Sequence, residues 1–400
     1  MSSSSESSSK TKPRWLIFGG LGFIGRNIIK YLIDNSLASF IRIADKKAPF
    51  MSFLSPDYKL AILENPIVEC IQIDVSDDDM VSQAFFSPPG SAPGASGLGA
   101  KNIDGTSSSS SPTWDYVINL AAETTLGKKD EFYKKTVDGA IKTATIAASI
   151  PGLKKYVFIS SASIYKSDKT PSKEDGKINP WTAVAESMYN SELALQQIVT
   201  SNNLPLVILR PALVYGPGDF NSLMPRCVVA ATYKKTGEKM ELLWDNDMKI
   251  NTVHVFDVAR AIVFAARKIA SGSIFNLADN NDTDVGKITN NLGSIFNIST
   301  GFMGSIKSNI ANLKLDVVVD AANDNHLGPW LSLLKEYNIK NTPLSPYLHK
   351  SLLSYNHLSV DGQAIETTGF KYMIHTGPTA ELIKDAVTQH ITQGIFPPIL

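Results

Sequence analysis

Short apolar runs alternate with amphipathic stretches through the first two thirds of the chain. Trp15–Phe18, Phe40–Ala44, Ile67–Ile73, Trp114–Leu120, Tyr156–Ile159, Leu206–Leu209 and Ser273–Ala278 read as strands. Between them, Arg26–Asn35, Met80–Phe86, Phe132–Ser149, Thr182–Thr200 and Val255–Lys268 read as helices, with a shorter one around Leu54–Leu63. The strand runs are nearly continuous in apolar residues, as expected of a mostly parallel sheet covered on both faces. An α/β, doubly wound fold is predicted. After Asp219 the alternation loosens into a helix over Met224–Tyr233 and a strand over Lys239–Leu243, and beyond Ala278 a tail with two or three helices is predicted. These later residues are expected to form a smaller lobe over the carboxyl ends of the strands, where open α/β sheets place ligands.

Two stretches break the pattern. Met1–Pro13 is serine-rich and too poor in apolar residues to fold, and Ser87–Thr113 collapses into Pro, Gly, Ala and Ser. The first reads as a disordered tail and the second as a disordered insertion in a surface loop. The resulting division is a nucleotide-binding part over 14–220 and a smaller part over 221–400, interleaved with it.

The first strand leads into Gly19-Gly20-Leu21-Gly22-Phe23-Ile24-Gly25, then a helix, then a second strand ending at Asp45. A glycine at 19 permits a tight reversal, one at 22 lets backbone N–H groups approach a pyrophosphate, and one at 25 lets the helix pack close to the strand. Asp45 stands about 20 residues beyond the last glycine, where a carboxylate accepts hydrogen bonds from a ribose 2′-OH and repels a 2′-phosphate. NAD is therefore expected over NADP, although Lys46 and Lys47 lie within reach of a phosphate. Asp74, at the tip of the third strand, reads either as a contact to the adenine amino group or as a helix cap.

Composition narrows the rest. Lysine and arginine (38) balance aspartate and glutamate (38), which leaves no electrostatic footprint for nucleic acid or an anionic membrane. Two cysteines, Cys70 and Cys227, supply neither a disulfide framework nor a zinc cluster. A reducing compartment, by default the cytoplasm, is expected, with no membrane span. His349 and His357 lack metal-ligand spacing and are expected at the surface.

The chain resembles the extended short-chain dehydrogenases/reductases, the NAD-dependent epimerase/dehydratase group. Gly19-x-x-Gly22-Phe23-Ile24-Gly25, Asp45, Asp74, Leu120-Ala121-Ala122, Ser160-Ser161-x-x-x-Tyr165, Arg210-Pro211-x-x-Val214-Tyr215-Gly216-Pro217-Gly218, His254-Val255-x-Asp257 and Phe275-Asn276-Leu277 occur in family order, closed by Thr368-Gly369-Phe370. The resemblance implies a Rossmann-type fold and a cofactor held by Gly19, Gly22, Phe23, Ile24, Gly25, Asp45, Asp74, Val75, Leu120, Ala121, Ala122, Ser160, Pro211 and Leu213. It also implies a small hydroxylated, sugar-like or sterol-like substrate, and a homodimer interface for which Phe132–Ser149 and Thr182–Thr200 are the candidates.

The family's chemistry uses a Ser or Thr to orient the substrate oxygen, a Tyr to exchange the proton, and a Lys four residues on. Ser161 fills the first role. Counted back without a gap from Arg210-Pro211, the family's helix glutamate falls on Glu192, but its Tyr and Lys fall on Val184 and Met188. Tyr165, with Lys169 four residues on, and Tyr189 are the candidate replacements, with Glu123 and Glu186 as further acids near the pocket. Where nucleotide-sugar members carry an arginine ahead of His-Val-x-Asp, this chain has Ile250 with Lys249 beside it. Two readings follow: an oxidoreductase with unusual or weakened acid–base chemistry, or a non-catalytic NAD-binding scaffold or sensor.

Overall fold

A computed structural model describes residues 11–92, 94–97 and 113–400. In chain order the first half contains β1 (Arg14–Phe18), α1 (Phe23–Asp34), β2 (Phe40–Asp45), α2 (Pro56–Ile62), β3 (Val68–Gln72), α3 (Asp78–Phe86), β4 (Tyr116–Asn119), α4 (Asp130–Ala148) and β5 (Lys155–Ile159). Then come α5 (Ala183–Asn202), β6 (Leu206–Pro211), β7 (Leu213–Tyr215), α6 (Met224–Thr236), β8 (Met240–Leu242), β9 (Thr252–His254), α7 (Val255–Lys268) and β10 (Ile274–Leu277). The chain closes with α8 (Val285–Phe296), β11 (Thr300–Phe302), α9 (Gly304–Asn312), α10 (Leu315–Glu336), α11 (Lys350–Leu353) and α12 (Ala380–Thr392).

Alternation within β1 sets the layers. Trp15 and Ile17 belong to one buried cluster, with residues of α1, α2 and α7; Leu16 and Phe18 belong to another, with residues of α3, α4 and α5. Successive strand residues point to opposite faces, so a strand buried on both sides needs a helical layer on each. Seven parallel strands make the sheet, in the order β10-β6-β5-β4-β1-β2-β3. This is the doubly wound Rossmann-type arrangement. The strand order reverses at β1, between β2 and β4, and such a reversal opens a crevice at the carboxyl ends of the strands.

A third cluster gathers α6, α8, α10 and α12 around Met240 of β8, which pairs in parallel with β11. The tail after β10 holds five α-helices among the described residues, more than the two or three predicted. The reason is burial: α9 buries only Ser308, and α10 only Val319, His326, Trp330 and Leu333, so neither carries a strong apolar period. α10 also runs through Pro329, which a sequence reading takes as a stop.

Part of the stretch expected to be disordered has a defined place. Ser96 pairs antiparallel with Cys70, Gly90 N–H donates to Glu69 Oε1 (2.6 Å), and Ala92 is buried. These residues lie along the outer edge of β3, where an unpaired strand would otherwise be exposed. Expectations for 98–112, and for Met1 to Lys10, fall outside the described residues.

Candidate cofactor and substrate site

The glycine turn joins β1 to α1 at the strand-order reversal. Gly19 has φ +74°, and a Cβ there would stand 2.9 Å from the Leu120 carbonyl carbon. A Cβ on Gly25 would lie 2.5 Å from the Gly20 Cα, so α1 seats against the turn only through glycine. Gly22 is the N-cap of α1, with no side chain capping the helix and no acidic residue in its first turn, which includes Phe23 and Ile24. The positive end of the helix is thus left to an anion.

Asp45 ties the turn to β2. Its Oδ2 accepts from Leu21 N–H and its Oδ1 from Lys47 N–H, both at 2.9 Å. Burial pushes its pKa up, against the lowering effect of these two hydrogen bonds. Each oxygen retains a lone pair that a ribose hydroxyl would satisfy.

At the next strand, Asp74 Oδ1 accepts from the Ser76 N–H (2.9 Å) and hydroxyl (2.7 Å). Burial raises its pKa, but the Ser76 bonds and Lys46 outweigh this and the net shift is downward. The cap of α3 is Asp77, which accepts from Met80 N–H, so the helix-cap reading of Asp74 does not hold. Val75 packs on α4, where a Cβ on Gly139 would stand 2.5 Å from its Cγ2.

Across the crevice, Leu120, Ala121 and Ala122 follow β4 and are half-buried, with Ala121 N–H donating to Asn119 Oδ1 (2.9 Å). Ser160 Oγ is buried without a hydrogen-bond partner, an unmet need that a ligand would fill. Ser161 Oγ accepts from Ser163 N–H (3.1 Å), which leaves its own proton free to donate. Pro211 ends β6, and Leu213 begins β7, paired with Thr252 of β9. The residues present fit a dinucleotide.

The acid–base candidates are distributed differently. Tyr165 is buried, its hydroxyl donating to Asn276 Oδ1 (2.8 Å) and accepting from Arg210 Nη1 (2.7 Å). Burial raises its pKa against the pull of Arg210. Arg210 in turn grips Glu192 through Nη2 (2.6 Å) and Nε (3.0 Å). Lys169 points elsewhere, to Asp247 at 2.6 Å, so Tyr165 and Lys169 do not form a pair. On α5, capped by Thr182, Met188 is buried and Val184 and Tyr189 are partly buried against the apolar cluster on that face. Glu186 is exposed, and Glu123 Oε1 accepts from Thr125 N–H (2.8 Å).

In the later part, Ile250 is partly buried and Lys249 is paired with Asp282. His254 caps α7, its Nδ1 accepting from Phe256 N–H (3.2 Å), and burial lowers its pKa to about 4. His349 caps α11, accepting from Ser351 N–H. His357 departs from the surface position expected: it is buried, with Nδ1 accepting from Lys249 N–H (3.0 Å). Its ring meets Tyr355 edge-on at 4.9 Å, Tyr355 packs at a tilt against Trp244, and this aromatic packing draws it inward. No group of three or more His, Cys, Asp or Glu side chains suited to a metal ion occurs among the described residues. Among them, too, no helix is long and apolar enough to cross a membrane.

Sequence reasoning missed Arg26. Its guanidinium donates to the carbonyls of Leu21 (2.8 Å), Gly22 (3.2 Å) and Ser52 (2.9 Å), clamping the glycine turn to the loop after β2. Burial lowers its pKa to about 10. The available signal was a cation four residues after Gly22, on the side of the helix that faces inward.

This fold is a Rossmann-type α/β one with a glycine turn at the strand-order reversal, and the comparisons say what the chain is similar to. Residues 104–278 match the model of the NAD dependent epimerase/dehydratase family, and residues 16–87 that of the 3-beta hydroxysteroid dehydrogenase/isomerase family. Each match spans less than half of the chain, and both agree with the resemblance to extended short-chain dehydrogenases/reductases read from the motifs. It is 22% identical over 273 residues to the low-salt glycan biosynthesis protein Agl12 of Haloferax volcanii, covering 66% of this chain and 76% of that protein. It is 26% identical over 264 residues to the decarboxylating sterol-4-alpha-carboxylate 3-dehydrogenase ERG26 of Candida albicans, covering 64% and 65%. The dTDP-glucose 4,6-dehydratase DesIV of Streptomyces venezuelae, solved with NAD bound, matches with a TM-score of 0.67 at 17% identity, over 97% of this chain and 100% of that one.

Proposed function

We propose that this protein binds NAD(H) across the Gly19–Gly25 turn and acts as an epimerase/dehydratase-like oxidoreductase with weakened acid–base chemistry. Its substrate is a small hydroxylated molecule of sugar or sterol type. The observation that carries the cofactor is the uncapped start of α1 beside Asp45, which accepts from the turn itself. Bound NAD supplies the hydride acceptor. Ser161 donates a hydrogen bond to the substrate oxygen, and Ser160 offers its unpartnered hydroxyl to the cofactor side of the crevice.

Weak chemistry follows from what lies along α5. Val184 and Met188 cannot exchange protons, and Tyr165 is held in the Arg210–Asn276 network. The same facts favour the second reading, a cofactor-binding scaffold or sensor without turnover. Hydride transfer followed at the nicotinamide absorbance, over a panel of alcohols, sterols and nucleotide sugars, separates the two. Slow but measurable turnover that rises on joint Val184→Tyr and Met188→Lys substitution supports the enzyme. A positioned acid–base pair commonly contributes roughly 10²–10⁴-fold, which sets the scale of the rise. NAD binding with no turnover in either form supports the scaffold; fast turnover abolished by Tyr165→Phe or Tyr189→Phe sinks this account of the site.

Three coarser features belong to the same proposal. The functional division lies near residue 220, the compartment is the cytoplasm, and the protein pairs through the outer faces of α4 and α5. Ile141 (37% exposed) and Leu193 (42%) stand outward on those helices. Light scattering on the purified chain tests the pairing, and a monomer at all concentrations removes it.

A further inference from the structure

A cavity of about 800 Å³ lies outside the dinucleotide crevice. It is lined by the loop after β2, by α2, by the Ser96 segment at the β3 edge and by the end of the chain beyond α12, and it includes none of the residues that fit the cofactor. Ligand sites of small molecules span about 300–1,000 Å³, with mostly apolar walls and a few polar groups. Here Phe53, Leu54, Leu63 and Ile395 form the apolar wall, and Lys59 and Gln393 are among its polar groups. Lys59 is the one charged side chain in the lining among the described residues.

A second observation concerns the wall itself. Phe53 adopts φ +47°, a conformation that bulky side chains rarely hold and that costs backbone energy. It is kept there from behind: its ring meets Phe220 edge-on at 6.3 Å, and the Arg26 guanidinium lies over Phe220 at 5.2 Å. Arg26 bonds Ser52 on the cavity side and Leu21 and Gly22 on the cofactor side. The opposite wall joins the same set, since Gln393 Oε1 meets His390 Nδ1 at 3.1 Å and His390 packs on Phe220 at 5.2 Å.

We infer that this cavity is a second small-molecule site, for an amphipathic ligand with an apolar body and one negative charge, and that its occupancy regulates the dinucleotide turn through Arg26. The apolar wall takes the body, the lone cation takes the charge, and a ligand that moves Phe53 or Gln393 moves the backbone held by Arg26. Coupling of this kind is reciprocal: whatever factor the ligand imposes on NAD affinity, NAD imposes on the ligand. The coupling rests on the cofactor reading above; the site does not.

The test uses the full chain and 8-anilinonaphthalene-1-sulfonate, whose fused rings and single sulfonate match the proposed class. Without NAD, saturable one-to-one binding is expected, weakened about tenfold by Leu63→Trp, which fills the cavity, and several-fold by Lys59→Glu, which reverses its charge at an exposed position. Melting curves confirm that each variant is folded. Dye binding that does not saturate, or that neither variant changes, overturns the site; the exposed Ile306 and Ile310 would then be its source. With the dye saturating, the Kd for NAD is expected to shift about fivefold in wild type and not in Leu63→Trp. An unshifted wild-type Kd overturns the regulatory part. Failure to bind NAD at all bears on the cofactor reading alone, because dye binding is read in its absence.

Discussion

Single residues decide cofactor choice and acid sensitivity. A 2′-phosphate would bring its charge against Asp45, whose oxygens already hold Leu21 and Lys47 N–H groups and cannot swing away without loosening the turn. NAD is expected to bind about ten- to a hundredfold more tightly than NADP, a difference of about 1–3 kcal/mol. Titration calorimetry with both cofactors checks it, and equal affinity would mean that Lys46 or Lys47 dominates. His254 makes a different prediction. Its pKa falls from 6.5 to about 4 on folding, so the unfolded chain takes up a proton that the folded chain refuses until the pH is much lower. Its contribution is complete above pH 6.5 and is lost as the pH falls toward 4, by up to about 3 kcal/mol. Asparagine at 254 keeps an oxygen for the Phe256 N–H but does not titrate. Denaturant melts between pH 7 and 4 should show a flatter profile for His254→Asn. Asp219 and Asp279, both raised to about 6 by burial, act in the opposite direction below that pH, equally in both proteins.

At the scale of elements, the Arg210–Glu192 pair joins β6 to α5 in the interior, with Tyr165 and Asn276 completing the network. Removing one partner of a buried pair strands the other charge, so Glu192→Ala is expected to cost about 3–5 kcal/mol in chemical denaturation. Tyr165→Phe leaves one donor and one acceptor short, about 1–3 kcal/mol, while NAD affinity should stay within twofold. The strands of the main sheet and most helices of the first part were legible because each is either apolar throughout or periodic over several turns. The glycine turn and the acid that braces it were legible because glycine spacing and a following acid are local features. The Tyr165 network was not, because Arg210, Glu192 and Asn276 meet only through tertiary packing. β7 and β9, three residues each, are too short to show a period, and charged Arg42 and Glu69 sit inside apolar strands because they satisfy one another (2.6 Å).

For the molecule as a whole, the stretch after α3 separates into two parts with different expected consequences. Replacing 98–111 with a short Gly-Ser link should change stability little, since loop length alters closure entropy by only about 0.6 kcal/mol per doubling. Extending the deletion back to Pro88 removes the Gly90 bond to Glu69 and the Ser96 pairing with Cys70. A buried carboxylate then loses a donor and the β3 edge is uncovered, at an expected cost of at least about 2 kcal/mol. Paired melting curves of the two deletions measure the difference. Equal stability would show that Pro88–Gly97 contributes nothing to the fold.

The contact between Gly19 and Leu120 has a consequence in time. The strand that carries the turn pairs with β2 almost at once in the growing chain, but its other neighbour, β4, begins at Tyr116. At about 5–20 residues per second, the ribosome takes on the order of 5–20 s to deliver it. Until then one side of the turn has no wall, so the nascent chain is expected to expose the apolar β1 edge and to have no closed cradle for a nucleotide. Arrested nascent chains ending beyond Phe86, and others with Leu120 clear of the exit tunnel, should therefore differ sharply in retention on immobilised NAD.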